Sequence, residues 1–437
     1  MEGIFQHLIR PLPRPMTDDR LKKSTHLPPT LVFHTGIRGK QAEGVYVEAE
    51  DGRRYIDLSA GLATCNVGHC PPEVVKAAKA QLERLIHAGC IFHYTSEEDL
   101  AQRLSSITPG PIDMFFFSNS GAEAVEGAIK LARYSTGRQS IISFTGGFHG
   151  RTFGALSLTT SSARYRDRCH PLLPSVYHSP YPYCYRCPMG QKRETCSIEC
   201  FGYLERILRQ QISPKEVACV VIEPVLGEGG YVVPPAEFLK RLRALCDAEG
   251  ILFVADEVQT GFGRTGRWFG CEHFGITPDI MTMAKGIASG FPLSAVGSTT
   301  GIMSKWPPGA HGTTFGGNPV SCAASVATIE KIDNEGLLDN AVRVGGLAVE
   351  RLRAMKERHP FIGDVRGLGL MIGVEFVKED GAPDAGRLEG IMGRCLEAGL
   401  IMIDCGTEKN VARIMPPLTI TEQEMGRALD IIEEALV

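Results

Sequence analysis

Asp256 closes an apolar run, Ile251-Leu252-Phe253-Val254-Ala255, and Lys285 follows a second one, Ile280-Met281-Thr282-Met283-Ala284, with Gly286 directly behind it. Both residues sit where a strand-like run meets a turn, which delivers a carboxylate and an amine to one edge of a sheet. A buried aspartate can keep a pyridine-type nitrogen protonated, so that the ring draws electrons from a carbanion forming beside it. A lysine can hold an aldehyde as a Schiff base and later move a proton. Together these are the requirements of pyridoxal phosphate chemistry. A lysine after a strand ordinarily snorkels to solvent. Here Ala284, Gly286, Ile287 and Ala288 leave little polar company, and desolvation with nearby cations lowers the pKa of an amine and suits it to nucleophilic work.

The elements around this pair alternate short apolar runs with helical patterns, the rhythm of an α/β fold with a mainly parallel sheet covered on both faces. Ala218 to Ile222 reads as a buried strand. Phe238, Leu239, Leu242, Leu245 and Cys246 form a helical stripe, Gly250 stops it, and Ile251 to Ala255 is the next strand. Right-handed crossover puts Glu223 and Asp256 at the same carboxyl-end edge, where ligands of such sheets bind. Val45 to Ala60 carries two strand-like runs about Glu50-Asp51-Gly52-Arg53, a hairpin signal. We expect residues 1–60 to form an arm and hairpin belonging to a smaller domain, 61–330 a large domain, and 331–437 the C-terminal part of the small α/β domain, ending in a helix from Thr421 to Leu436.

Phe115-Phe116-Phe117-Ser118-Asn119-Ser120-Gly121-Ala122-Glu123-Ala124 turns from a strand through small residues into a helix continued by Val125, Ala128, Ile129 and Ala132. The free amides and positive end of that helix make a phosphate site; the plainer reading is a capping serine with nothing bound. In Gly146-Gly147-Phe148-His149-Gly150-Arg151-Thr152 the glycines let the backbone come close, and Phe148 is either a stacking ring or a core residue.

Asp256-Glu257-Val258-Gln259-Thr260-Gly261-Phe262-Gly263-Arg264-Thr265-Gly266, followed by Pro278-Asp279-Ile280, Lys285 and Gly290-Phe291-Pro292-Leu293, resembles the signature of the class III aminotransferases, fold type I pyridoxal phosphate enzymes. Gly68-His69, Ser120 to Ala124, Glu223-Pro224 and Gly316-Gly317-Asn318-Pro319 occur in the expected order, and the similarity runs from about Gly52 to the C-terminus. The resemblance implies a large domain carrying pyridoxal 5'-phosphate, a small domain closing over it, and a homodimer, in some members a dimer of dimers, with active sites at the interface. Carried over position by position, Lys285 forms the Schiff base, Asp256 pairs with the pyridine nitrogen and Gln259 contacts the ring hydroxyl. Ser120, Gly121 and Ala122 cradle the phosphate, Phe148 stacks on the ring, and Glu223 and Val258 complete the cofactor site. Thr314, in His311-Gly312-Thr313-Thr314-Phe315, reaches the phosphate of the neighbouring subunit.

Within the class the pattern is most similar to 4-aminobutyrate aminotransferases. Arg151, Glu228 in Gly227-Glu228-Gly229-Gly230, and Arg413 in Val411-Ala412-Arg413-Ile414-Met415-Pro416-Pro417 carry that inference. The resemblance gives Arg413 the α-carboxylate of glutamate, Arg151 a distal carboxylate and Leu62 a place in the pocket wall; an arginine's planar fork suits both carboxylate tasks. It implies a ping-pong aminotransferase that moves an amino group from an ω-amino acid or amine to a 2-oxo acid such as 2-oxoglutarate or pyruvate. Alternatives are an ornithine or acetylornithine aminotransferase, a racemase or epimerase of the same fold, and a cofactor-binding protein without turnover.

One segment departs from the family. Tyr183-Cys184-Tyr185-Arg186-Cys187-Pro188, then Cys196 and Cys200, places four cysteines ahead of a helix expected over Phe201 to Gln211. Two close pairs fit a structural zinc, an iron–sulfur cluster, two disulfides or four free thiols, and the segment resembles inserts of broad-specificity amino-acid racemases of this fold. No metal is assigned. The chain has 437 residues, 43% hydrophobic and 22% charged, with net charge -4, which gives no reason to expect nucleic acid as a partner. No run approaches the roughly 18 apolar residues of a membrane span. Met1-Glu2-Gly3-Ile4-Phe5-Gln6-His7 lacks signal-peptide features, and most of the 14 cysteines are scattered singly, so a cytoplasmic location is expected.

Overall fold

The structure, a computed structural model, describes His26, Pro28 and residues 30–437. Much of the arm expected within residues 1–60 therefore lies outside the described residues. A seven-stranded sheet forms the centre, in the spatial order Met114–Ser118, Ser294–Ser298, Ile280–Met283, Leu252–Asp256, Val217–Ile222, Ser140–Phe144, Val176–Ser179. From Ile280–Met283 to Val176–Ser179 every neighbouring pair is parallel, and Ser294–Ser298 runs antiparallel to both of its neighbours. The α/β class with a mainly parallel sheet is thus as the sequence implies. Val217–Ile222 is buried along its whole length, which explains why it reads as an unbroken apolar run rather than an alternating one.

Two helices show how local sequence fixes the sheet edge. Helix Ala236–Glu249 links Val217–Ile222 to Leu252–Asp256, buries Phe238, Leu239, Leu242 and Cys246, and ends at Gly250, whose φ of +61° is the left-handed conformation a glycine adopts cheaply. Helix Gly121–Thr136 starts at Ser120, which accepts from Glu123 N, while the Glu123 carboxylate accepts from Ser120 N. That reciprocal cap pins the strand-to-helix turn at the sheet's carboxyl edge.

The hairpin Tyr46–Ala49 with Arg54–Asp57 forms about Glu50 to Arg53, and its second strand pairs in parallel with Leu400–Ile401. A third sheet joins Ile362–Leu368, Met371–Phe376, Val411–Ile414 and Ile403–Cys405, all antiparallel. Residue 330 lies inside helix Pro319–Asn334, which is followed at once by Leu337–Arg358. The last helix is Glu422–Ala435, with Thr421 capping it rather than belonging to it.

The cysteine insert differs from expectation at its end. Its helix is Glu199–Gln210, so Cys200 lies within the first turn instead of before the helix. The four thiols are free, Cys200 buried and the others half-buried. Among the described residues no group of three or more histidines, cysteines or carboxylates is arranged to hold a metal ion. Tyr183 and Arg186, within the insert, both bind Glu375 on strand Met371–Phe376. Arg366 joins this cluster, meeting Glu375 Oε2 at 2.7 Å and donating to Gly230 O at 2.6 Å. Among the described residues no helix is long and apolar enough to cross a membrane.

Candidate active site

The carboxyl ends of the central strands open into a cleft of about 3050 Å³. Asp256 is the last residue of Leu252–Asp256, Glu223 follows Val217–Ile222, and Lys285 comes two residues after Ile280–Met283. Parallel register, with Asp256 opposite Thr282, therefore brings all three to one edge. Lys285 has φ +49°, a left-handed conformation strained for a residue with a Cβ, and Gly286 behind it packs against Asn66, where a Cβ would come within 2.3 Å of Nδ2. The amine is held in place by its backbone rather than by a long reach to solvent.

The Lys285 side chain is half-buried on the cleft lining, and its pKa falls from 10.5 to about 8, first through desolvation and then through the positive charge of Arg413. Asp256 is buried and anchored by three groups: Thr282 Oγ1 donates to Oδ1 at 2.9 Å, Val258 N donates to Oδ1 at 3.1 Å, and His149 Nδ1 lies 2.6 Å from Oδ2. An ionised carboxylate offers about four lone-pair sites, so one remains for a ligand. Burial alone would lower the His149 pKa, but its hydrogen bond to Asp256 and the charges of Asp256 and Glu223 outweigh that and raise it. Glu223 accepts from Phe148 N at 2.9 Å and Gly227 N at 2.8 Å, and burial lifts its pKa to about 7.

At the other end of the cleft floor the first two amides of helix Gly121–Thr136, those of Gly121 and Ala122, have no acceptor among the described residues. Gly150, at φ +127°, passes against Ala122; a Cβ there would sit 2.6 Å from that of Ala122. Gln259 Oε1 is buried without a hydrogen-bond partner. An orphaned buried acceptor, a pair of free amides and an unfilled lone pair on Asp256 all face one cleft.

The wall carries a second constellation. Arg413 NH2 lies 2.8 Å from Glu228 Oε2, and Arg413 Nε donates to Asp404 O at 2.7 Å. Burial disfavours both charges, but each partner stabilises the other, so the Glu228 pKa is lowered and that of Arg413 raised. Arg151 is exposed at the mouth, its guanidinium carbon 4.3 Å from the Tyr165 ring centre. Phe148 packs edge-on against the same tyrosine at 5.7 Å. Leu62 lines the cleft and is 49% exposed. Thr314 is not brought to this cleft; it lies exposed beside Phe315, whose ring is 5.4 Å from that of His87.

The profile of the family described as aminotransferase class-III matches residues 32–436. The chain belongs to the class III aminotransferases. It is 39% identical over 400 residues to a probable 4-aminobutyrate aminotransferase of Bacillus subtilis, covering 91% of this chain and 92% of that protein. It is also 41% identical over 408 residues to a leucine/methionine racemase of Thermococcus litoralis, covering 93% and 91%. Among solved structures, an amine transaminase from an uncultivated Pseudomonas species in its PLP-bound form superposes with a TM-score of 0.87 at 31% identity, covering 95% of this chain and 97% of that one.

Three side chains of this class III aminotransferase that touch the constellation have no role that the sequence alone assigns. His149 stands inside the motif with Phe148, but its partnership with Asp256 spans 107 positions. Tyr165 ends a single 3-10 turn, Ala163–Tyr165, and its hydroxyl donates to Glu228 Oε1 at 3.2 Å. Lys409 sits in a turn before Val411–Ile414 with no apolar pattern to place it.

Proposed function

We propose that this aminotransferase binds pyridoxal 5'-phosphate in the cleft and transfers the amino group of an ω-amino acid, such as 4-aminobutyrate, to a 2-oxo acid such as 2-oxoglutarate or pyruvate in a ping-pong cycle. The observation that carries the substrate reading is the ion pair of Glu228 and Arg413 at 2.8 Å, set near Lys285 in one cleft. When bound, the cofactor supplies an electron sink for charge developing at the substrate carbon.

The residues present fit that group. Asp256, held by Thr282, Val258 and His149, keeps an acceptor site open for a ring N–H. The amides of Gly121 and Ala122 donate to a phosphate at a helix N-terminus, the unpartnered Gln259 Oε1 takes a ring hydroxyl, and Phe148 and Glu223 with Val258 close the sides. Lys285, half deprotonated near pH 8, then serves as the group that takes and returns a proton at the reacting carbon. Water must be kept from that carbon, and the open cleft of about 3050 Å³ is larger than the roughly 1000 Å³ upper range of enclosed ligand sites.

That excess space supports a homodimer. Ile86, Ile91, Phe92 and Phe315 are exposed by 59%, 85%, 52% and 62%, and Asn318 Nδ2 donates to Ile86 O at 2.9 Å, so the two segments form one apolar patch around Thr314. In a two-fold dimer this patch would carry Thr314 to the phosphate end of the other subunit's cleft. We read residues 61–330 as the cofactor-carrying domain and residues 1–60 with 331–437 as the smaller one, the boundary falling in helix Pro319–Asn334. All 14 cysteines are free, which supports a reducing, cytoplasmic setting.

Arg413 would bind the α-carboxylate of glutamate and Arg151 the distal carboxylate; with an ω-amine, which has no carboxylate at the reacting carbon, Glu228 masks Arg413. Titrating the holoenzyme with 4-aminobutyrate, 5-aminovalerate, ornithine and glutamate, and following the cofactor's absorbance, tests this. Conversion by ornithine and glutamate without any ω-amino monocarboxylate would refute the ω-amino acid reading. The 41% identical racemase supports a second reading in which the same site epimerises an α-amino acid. Loss of optical purity with α-deuterium exchange in the absence of any 2-oxo acid would favour it.

A further inference from the structure

Glu228 is held from two sides. Oε2 faces Arg413 at 2.8 Å, whereas Oε1 takes the Tyr165 hydroxyl at 3.2 Å and lies 3.6 Å from Lys409 Nζ. The backbone ties the lysine to the same residue: Gly406 N donates to Glu228 O at 2.9 Å, and Lys409 N donates to Gly406 O at 3.0 Å. Lys409 has φ +58°, a left-handed conformation that disfavours any residue with a Cβ and that glycine or asparagine fills more cheaply. The turn holds a lysine against that strain, and its ammonium stands between Glu228 and Asp404, the latter at 3.7 Å.

We propose that Lys409, with the Tyr165 hydroxyl, is the second berth of the Glu228 carboxylate, occupied when a substrate α-carboxylate takes Arg413. This rests on the reading of Glu228 and Arg413 as a switch. A carboxylate displaced from Arg413 needs a new partner, because the Glu228 side chain is only 17% exposed and a buried anion without a counter-ion is strongly disfavoured. Lys409 is the cation within reach. The cluster holds two cations, Arg413 and Lys409, and two carboxylates, Glu228 and Asp404. An arriving α-carboxylate pairs with Arg413 and leaves Glu228 to Lys409, which Glu228 then shares with Asp404.

The movement is small and one-sided. Arg413 stays where it is through its Nε bond to the Asp404 carbonyl, and Glu228 turns about the oxygen already facing Tyr165. At 3.6 Å the lysine is beyond hydrogen-bond range while Arg413 is paired, and it closes when Arg413 lets go. That difference between the two states is what allows Lys409 to bias the switch; an equal contact in both would shift nothing. His34, at 3.9 Å from Asp404, has its pKa lowered mainly by burial and brings no third cation at neutral pH. Lys409 is thus a positioning residue that acts through Glu228. Tyr165 also stacks under Arg151, so the lysine is the cleaner position to vary.

The test is single-turnover kinetics of the holoenzyme with glutamate and with 4-aminobutyrate, together with calorimetric binding of glutarate, a dicarboxylate that cannot react. Lys409→Met is expected to weaken glutamate and glutarate binding about fivefold with the limiting rate kept, the scale of a partly exposed ion pair, while 4-aminobutyrate is handled as before. Lys409→Arg should restore affinity, and in a Glu228→Gln background Lys409→Met should have no further effect. Unchanged glutarate and glutamate binding in Lys409→Met, equal weakening of both substrates, or a full Lys409 effect in the Glu228→Gln background would each overturn the berth. Failure of the underlying switch has a different mark: Glu228→Ala and Arg413→Ala would then slow both half-reactions alike, whatever Lys409 does.

Discussion

Removing either partner of the Glu228–Arg413 pair should split the two half-reactions in opposite directions, and the structure sets the size of the split. Arg413 has a side chain 5% exposed and Glu228 one 17% exposed, at 2.8 Å, so this is a buried pair whose breakage leaves an uncompensated charge worth about 3–5 kcal/mol. The two losses are not symmetric. Without Arg413, Glu228 keeps Tyr165 and Lys409, so the residual penalty falls at the low end of that range. Without Glu228, Arg413 keeps only the Asp404 carbonyl, a neutral acceptor, and becomes an open site for any carboxylate. Arg413→Ala should therefore lower kcat/KM for glutamate by about 100-fold, the equivalent of about 3 kcal/mol, and leave 4-aminobutyrate within about threefold. Glu228→Ala should do the reverse: glutamate is spared or improved, and 4-aminobutyrate slows by about tenfold or more as its carboxylate is captured by the unmasked Arg413 in a non-productive direction. Stopped-flow absorbance of each half-reaction, with circular dichroism to show that both variants fold, measures these ratios. Losses of equal size in both half-reactions for both variants would refute the reasoning.

Lys285→Ala should reduce turnover by several orders of magnitude while leaving the fold and the phosphate end of the cleft intact, since one group provides both attachment and proton movement; retention of more than about a tenth of wild-type activity would remove the lysine from its role. The same lysine makes stability depend on pH in enzyme stripped of cofactor. Its folded pKa of about 8 lies below the ordinary 10.5, so between those values the unfolded chain binds the extra proton and stability should rise with pH by up to about 3 kcal/mol. Denaturant titrations from about pH 7.5 to 10.5, compared with Lys285→Met, should show that slope only in the wild type. Asp256→Asn should slow both half-reactions, because an amide cannot keep a ring nitrogen protonated, and unchanged single-turnover rates would take Asp256 out of the site. Ile91→Asp together with Phe315→Asp should convert a dimer to monomers in sedimentation and abolish activity; an active monomer would contradict the shared-site reading.

How far the sequence reveals this site follows from the physics of each residue. Asp256, Glu223 and Lys285 terminate or follow buried strands, and a strand's apolar run with its turn is a local signal, so their common edge is legible in the chain itself. The capped turn at Ser120 is equally local, because the serine and Glu123 are three positions apart. His149, Tyr165 and Lys409 are different. Each gains its role from a contact across 63 to 181 positions, and nothing in the flanking residues specifies it. The start of helix Glu199–Gln210, which takes in Cys200, is also hidden: its cap is an isoleucine, Ile198, in a left-handed conformation, without the serine, threonine or aspartate that usually marks a helix start.

The cluster of Arg366, Glu375, Tyr183 and Arg186 has a mechanical consequence. Arg366 grips the carbonyl of Gly230, two residues from Glu228, with two nitrogens and binds Glu375 with the third, while Glu375 is also the anchor of the cysteine insert. The insert and the selectivity loop therefore share a single hinge pin. An enzyme engineer who shortens the insert, or exchanges it for that of a relative, would slacken the Gly227–Gly230 loop that carries Glu228 into the cleft, and would meet the change as altered donor preference.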